Sequence, residues 1–309
     1  MINETDRHGL TSSSLISSCH LCPRDCGANR LIGERGFCGA GDQTVIARAA
    51  PHFWEEPCIS GTHGSGTVFF SGCGLRCSFC QNATISLGLA GKEISVERLC
   101  EIFFELAGQG VHNINLVTPT PYIPMIREAI LLARQRGFSL PFVWNCGGYE
   151  HVESIRLLAG LIDVYLPDLK FFSRKAAMTY CRAPDYFDKA SAAIAEMVRQ
   201  VGDTVIDEDG LMKRGVIVRH LMLPGELFDT RKILTYLTGT YGNQIWISLM
   251  NQYTPPISPR KGAPDHPLRQ DHYHAMVDFL VDRGQVNAYT QEPGTDQSSF
   301  IPPFDLTGV

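Results

Sequence analysis

Thr67-Val-Phe-Phe-Ser-Gly-Cys73-Gly-Leu-Arg-Cys77-Ser-Phe-Cys80-Gln-Asn82 reads as a short apolar strand, a glycine turn, and then three thiols spaced C-x3-C-x2-C. A strand that runs into a loop of reactive side chains is how β/α barrels place their chemistry, at the C-terminal mouth of the sheet. After it, short apolar runs alternate with amphipathic stretches. Strands are predicted at 67–71, 113–118, 141–145, 161–166, 216–223 and 244–249. Helices are predicted near 95–108, 123–136, 152–158, 186–201, 230–239 and 270–283, with Ser95 as an N-cap and Gly110, Gly137 and Gly284 at C-terminal ends. Six strands interleaved with helices predict an α/β fold with a parallel sheet. A closed eight-unit barrel takes about 250 residues, so six units predict a partial (β/α)6 TIM-like barrel, with a doubly wound open sheet as the alternative.

The first 60 residues differ. Gly27, Gly33, Gly36, Gly39 and Gly41, with Pro23 and Ser12 to Ser14, break any sustained periodicity and predict loops. The chain therefore divides into a cysteine-rich N-terminal segment, 1–60, and a barrel domain, 61–309. Its 309 residues carry a net charge of −5, without the bulk basic footprint of a duplex-binding protein, so no nucleic-acid partner is expected. No apolar run approaches the ~20 residues of a spanning helix, and residues 1–8 hold no apolar signal core, so neither a membrane association nor export is expected. The expected location is the cytoplasm.

Eleven cysteines are too many for a reducing compartment to explain as disulfides, and an odd number cannot all pair. Cys73, Cys77 and Cys80 form one cluster. Three thiolates on one compact loop suit a face of an iron–sulfur cube and leave one iron with an open position; the alternatives are three unrelated buried thiols, or zinc completed by a distant His or Cys. Cys19-x2-Cys22-Pro-Arg-Asp-Cys26-x11-Cys38 is a four-thiolate set, which closes either a zinc ion or a second iron–sulfur cluster; spacing does not choose between them. His20 and His52 are substitutes for one of those thiolates. Cys100 and Cys181 fall in helical patterns, as packing residues, and Cys146 reads as a buried thiol in a glycine-rich loop.

Cys73-x3-Cys77-x-Phe79-Cys80 resembles the signature of the radical S-adenosylmethionine (SAM) superfamily, and the following Gln81-Asn82 is similar to the branch around pyruvate formate-lyase activating enzyme. Asp163-Val-Tyr-Leu-Pro-Asp168-Leu-Lys170, Asn145-Cys-Gly-Gly148 and Arg219-His-Leu-Met-Leu-Pro224-Gly225 resemble further stretches of the activating enzymes, so the likeness runs over about residues 67–250. It implies a [4Fe–4S] cluster whose open iron binds SAM, and one-electron cleavage to a 5′-deoxyadenosyl radical that abstracts hydrogen. It further implies a reduced flavodoxin- or ferredoxin-type electron donor and, from that branch, a partner protein activated by glycyl-radical formation. Asn145, Asp168 and Lys170 are the implied cofactor contacts. Activating enzymes carry a Gly-Gly-Glu stretch after the second strand; here Asn115-Leu-Val-Thr118-Pro-Thr120-Pro-Tyr122 stands there, with the hydroxyls of Thr118 and Thr120 as substitutes. A small-molecule or peptide substrate, and a non-catalytic two-centre electron-transfer protein, are the alternatives.

Other residues carry less. Arg219 and His220 are neighbours on one strand, so only one faces the barrel interior. Asn251, Gln252 and Tyr253 follow the last strong strand at its mouth. Gly61-Thr-His-Gly-Ser-Gly66 lacks the Lys-Ser/Thr ending of a phosphate loop and precedes its strand, so it is no nucleotide loop.

Overall fold

A computed structural model describes residues 11–255, 262–292 and 301–309; residues 1–8, where a signal core was sought, lie outside this set. The strands are β1 (Thr44–His52), β2 (Ser65–Phe70), β3 (Lys92–Ile94), β4 (Ile114–Val117), β5 (Phe142–Cys146), β6 (Val164–Pro167), β7 (Val205–Ile206), β8 (Met212–Leu221), β9 (Trp246–Met250) and β10 (Ala288–Thr290). The helices are α1 (Ser12–Ile16), α2 (Pro57–Ser60), α3 (Ala83–Ser86), α4 (Val96–Gly108), α5 (Ile123–Gln135), α6 (Val152–Arg156), α7 (Arg174–Cys181), α8 (Tyr186–Val201), α9 (Leu227–Thr240) and α10 (Gln270–Asp282).

The sheet runs β10-β9-β8-β6-β5-β4-β2-β1-β3, with β7 paired to β8 off this path. From β2 to β10 the main-path neighbours are parallel and follow chain order. A doubly wound sheet reverses its strand order at a switch point; this one never does, so it curls as a partial barrel and stays open between its edges. The six expected strands are all present, and the three-residue β10 extends them at one edge.

At the other edge one stretch of the N-terminal segment, 44–60, departs from the loops that its composition suggests. β1 pairs antiparallel with β2, from Ile46 opposite Phe70 to His52 opposite Ser65, and with β3 from Thr44 to Ile46. Its sequence hides the strand because Ala47, Ala49, Ala50 and Pro51 are poor strand formers; burial against β2 decides the outcome instead. The segment drawn as 1–60 thus contributes a strand to the sheet of the segment drawn as 61–309.

Alternation along the strands builds two faces. Phe142, Trp144 and Cys146 of β5, Tyr165 of β6 and Val216 and Val218 of β8 face the helices in the main core. Val143, Val164, Leu166 and Ile217 face inward, where Cys58 and Ile59 of α2 plug the barrel with Met212. Further along that inner face, toward the carboxyl ends of the strands, the side chains become polar: Asn115, Asn145, Asp168 and Arg219. Outside, Ser95 caps α4 by accepting from Arg98 N at 3.2 Å, and α4 packs its buried Leu99, Phe103 and Leu106 beside α5. Among the described residues no helix is long and apolar enough to cross a membrane.

Candidate active site

The cysteine triad lies on the loop that leaves β2. Gly72, at φ +90°, makes the turn that only glycine takes readily, and a Cβ there would press on Cys38 O at 2.8 Å. That contact brings the loop of the triad against the loop of the N-terminal quartet. Phe79, the aromatic between the second and third thiols, is buried edge-on against Phe171, Tyr180 and Tyr253; it anchors the loop to the segments after β6 and β9.

Cys77 is buried, Cys73 and Cys80 are half-buried, and all three are free thiols. Leu75 N donates to Cys73 Sγ at 3.4 Å. Burial pushes the Cys73 thiol up to about 11 and raises Cys80 as well. Cys77 is raised further, first by its hydrogen bond to Cys181 Sγ at 3.2 Å and then by burial. Any metal bound here must displace those protons. Cys181 is the buried packing residue that its helical pattern suggests, at the end of α7, and its thiol also stands against the triad.

Beside the triad the inner face carries a buried polar network. Lys170 Nζ donates to Asp168 Oδ2 at 2.5 Å. Arg219 Nε donates to Asp168 Oδ1 at 3.2 Å and its Nη1 to Glu55 Oε2 at 3.1 Å, while Nη2 donates to Asn145 Oδ1. Glu55 also accepts from Asn115 Nδ2 at 2.9 Å and Asn145 Nδ2 at 3.4 Å. Two carboxylates thus face two cations. Burial pushes Asp168 up, but Lys170 and Arg219 outweigh it and hold its carboxyl below the usual range. Burial raises Glu55 despite the opposing Arg219. Burial works against the charge on Lys170, yet Asp168 holds its ammonium above the usual value.

The structure therefore brings Asn145, Asp168 and Lys170 together. Arg219 faces inward, and His220 faces the helices, with Nδ1 donating to Leu169 O at 2.7 Å and Nε2 accepting from Thr230 Oγ1 at 2.9 Å. Glu55, Asn145 and Arg219, with Gln81, Asn82 and Gln252, line a cavity of about 140 Å³. Gln252 O accepts from Gln81 Nε2 at 3.0 Å, whereas Tyr253 is buried and donates to Pro264 O. His52 lines this cavity too, away from the N-terminal cysteines.

Thr118 and Thr120 sit elsewhere. Thr118, at φ +58°, and Thr120, which donates to Glu150 Oε1 at 2.7 Å, line a second cavity with Cys73 and all four N-terminal cysteines. There Arg24 spans both loops: its Nε donates to Gly74 O at 2.7 Å and its other nitrogens to Arg182 O and Cys181 O, each at 2.6 Å. His20 does not join the quartet; its Nδ1 meets Asp25 at 3.2 Å on the surface.

Glu55 and Glu150 stand outside the cysteine motifs that mark the site in the sequence. Trp54-Glu55-Glu56-Pro57 offers a signal, two acids where a strand runs into a proline-started helix, but it fell in a stretch read as loops. Arg24 lies inside the Cys22-Pro-Arg24-Asp-Cys26 motif, whose spacing marks the cysteines alone.

Residues 67–237 match the model of the radical SAM superfamily. The chain is 30% identical over 253 residues to the protein MJ0674 of Methanocaldococcus jannaschii, covering 79% of this chain and 68% of that protein. To MJ0808 of the same organism it is 27% identical over 169 residues, 49% of each. Among solved structures, SuiB of Streptococcus suis bound to its precursor peptide SuiA matches with TM-score 0.52 at 13% identity, over 72% of this chain and 47% of SuiB. HydG, a maturase of the [FeFe]-hydrogenase, matches with TM-score 0.50 at 15% identity, over 74% and 52%. The chain spans about half the length of both structures, which share its fold. With the family model covering more than half of its length, and its thiol-bearing loop at the mouth of an open parallel barrel, the chain belongs to the radical SAM superfamily.

Proposed function

We propose that the chain holds a [4Fe–4S] cluster on Cys73, Cys77 and Cys80 and uses it to cleave SAM reductively, taking a hydrogen atom from a partner protein. The observation that carries this reading is the three free thiols on one loop directly beside the buried Asp168–Lys170–Arg219 network. The donor set fits the group: three sulfurs leave one iron open, and Lys170 lies near enough to favour the thiolate form of Cys77 and Cys80. When bound, cluster and SAM together supply one-electron cleavage of the sulfonium and a 5′-deoxyadenosyl radical that abstracts hydrogen.

The rest is the work of this chain. Lys170 and Arg219 offer cations for a carboxylate, Asp168 and Asn145 offer acceptors for ribose hydroxyls, and Thr118 and Thr120 border Cys73 on its other side. In place of the missing Gly-Gly-Glu acid, Glu55 brings a carboxylate to the inner face from the β1–α2 connection. Well-exposed Trp54 lines the cavity beside Glu55, Asn145 and Arg219, an apolar surface suited to a polypeptide. Activation of a glycyl-radical partner in the cytoplasm, with electrons from a reduced flavodoxin or ferredoxin, is the reaction we assign.

Anaerobic protein given SAM and a reductant should release 5′-deoxyadenosine, and Cys77→Ala should abolish that release. Full turnover in Cys77→Ala overturns the cluster assignment. Deuterium carried from an α-deuterated glycine of the partner into 5′-deoxyadenosine tests the substrate, and its absence while cleavage persists points to another substrate class.

A further inference from the structure

Cys19, Cys22, Cys26 and Cys38 line one cavity of about 40 Å³, and Cys73 of the triad forms part of its wall. The loop that carries them is tightly formed: Cys19 N donates to Ala28 O and Gly27 N to Cys19 O, both at 3.0 Å. A Cβ at Gly36 would stand 2.3 Å from Cys26 Sγ, so a larger residue there would push that thiol aside.

The cavity is also prepared for negative charge. Arg30 is buried on the same wall; Nε donates to Gly41 O and Nη1 to Pro121 O, while Nη1 also lies 4.0 Å from Cys19 Sγ. Its Nη2 is buried with no hydrogen-bond partner. A guanidinium kept out of water with a donor unspent calls for an anion beside it. Four neutral thiols do not supply one, but four thiolates around a metal centre do.

The arrangement also bears on nuclearity. Zinc draws four sulfurs to one point, each about 2.3 Å from the ion. A cluster spreads them over its corners instead and, unlike zinc, passes electrons. Cys73 of the triad stands in the wall that the four cysteines line, so a redox centre there lies beside the first cluster.

We infer that Cys19, Cys22, Cys26 and Cys38 hold a second [4Fe–4S] cluster, closed on all four corners, with Arg30 balancing its charge. Closed coordination leaves this centre electron transfer as its chemistry, and the wall shared with Cys73 puts it next to the first cluster. The inference rests on the proposed function only for that neighbour; the quartet's own metal is tested separately.

The test is metal analysis of anaerobically purified and iron–sulfide-reconstituted protein: wild type, Cys77→Ala, and Cys22→Ser/Cys26→Ser. Wild type should bind about eight irons with matching acid-labile sulfide and no zinc, and each variant about four. Dithionite-reduced wild type should carry about twice the electron-paramagnetic spin concentration of Cys77→Ala. About four irons in wild type that are lost in Cys77→Ala overturn the inference, whether one zinc accompanies them or none. If the double variant fails to fold, the zinc, sulfide and spin counts of wild type and Cys77→Ala still decide. Iron unchanged by Cys77→Ala but reduced by the double variant would instead overturn the triad assignment and uphold the quartet cluster.

Discussion

Arg219 is the residue on which the inner polar face turns, because its single guanidinium serves Asp168, Glu55 and Asn145 at once. Removing one partner of a buried ion network strands the others without water. Arg219→Met should therefore lower unfolding free energy by about 3–5 kcal/mol, read from a denaturant midpoint. Arg219→Lys should recover only part, since an ammonium lacks the planar fork that reaches three acceptors. A variant as stable as wild type would mean that the network contributes nothing net. On the opposite face of the strand, His220 is buried and neutral, with burial holding its pKa below the usual value. The unfolded chain takes up that proton near pH 6.5 and the folded chain does not. Stability linked to His220 is thus present above about pH 6.5 and lost as pH falls below it. Between about pH 7.5 and pH 5.5, wild type should lose more stability than His220→Gln; equal losses would refute the linkage.

The elements that sequence revealed best are those whose periodicity is carried by large apolar side chains. α4 and α5 show their buried stripes plainly, and the runs of β4, β5 and β6 are apolar because both faces are covered. β1 is hidden because alanines take three of its five buried positions and a proline follows them, and α7 because Ala176, Ala177 and Cys181 make a weak stripe. The site divides in the same way. Cysteine spacing is local, so the triad and quartet could be read along the chain. Glu55 and Arg219 lie 164 residues apart, and nothing local announces their meeting. One local signal does carry over to three dimensions. Gly148, at φ +78°, follows β5 where a Cβ would collide with Asp168 O. Gly148→Ala should displace the end of β6, cost about 2 kcal/mol or more, and weaken SAM binding measured by calorimetry. Unchanged affinity would separate this turn from the cofactor site.

Across the whole molecule, the stretch 301–309 holds the described parts together at one edge. Ala49 N donates to Thr307 O at 2.8 Å and Leu306 N to Ala47 O at 3.0 Å, covering the edge of β1 beyond its pairing with β3. Arg48 meets Asp305 at 2.8 Å, and Phe304 packs on Phe69 with ring centroids 5.6 Å apart. An uncovered strand edge is a template for pairing with other chains. Removing residues 303–309 should lower the melting temperature and produce self-association in sedimentation experiments. A monomer of unchanged melting temperature would show that the edge needs no cover.

That pairing also carries a message about order in time. Arg48 waits for Asp305, 257 positions further along the chain. Contacts so distant in sequence form late, after the entropy of closing a long loop has been met. The strand that seals the barrel's first edge is therefore bare during much of refolding. Yield on dilution from denaturant should fall steeply with protein concentration, even though the finished fold buries that edge.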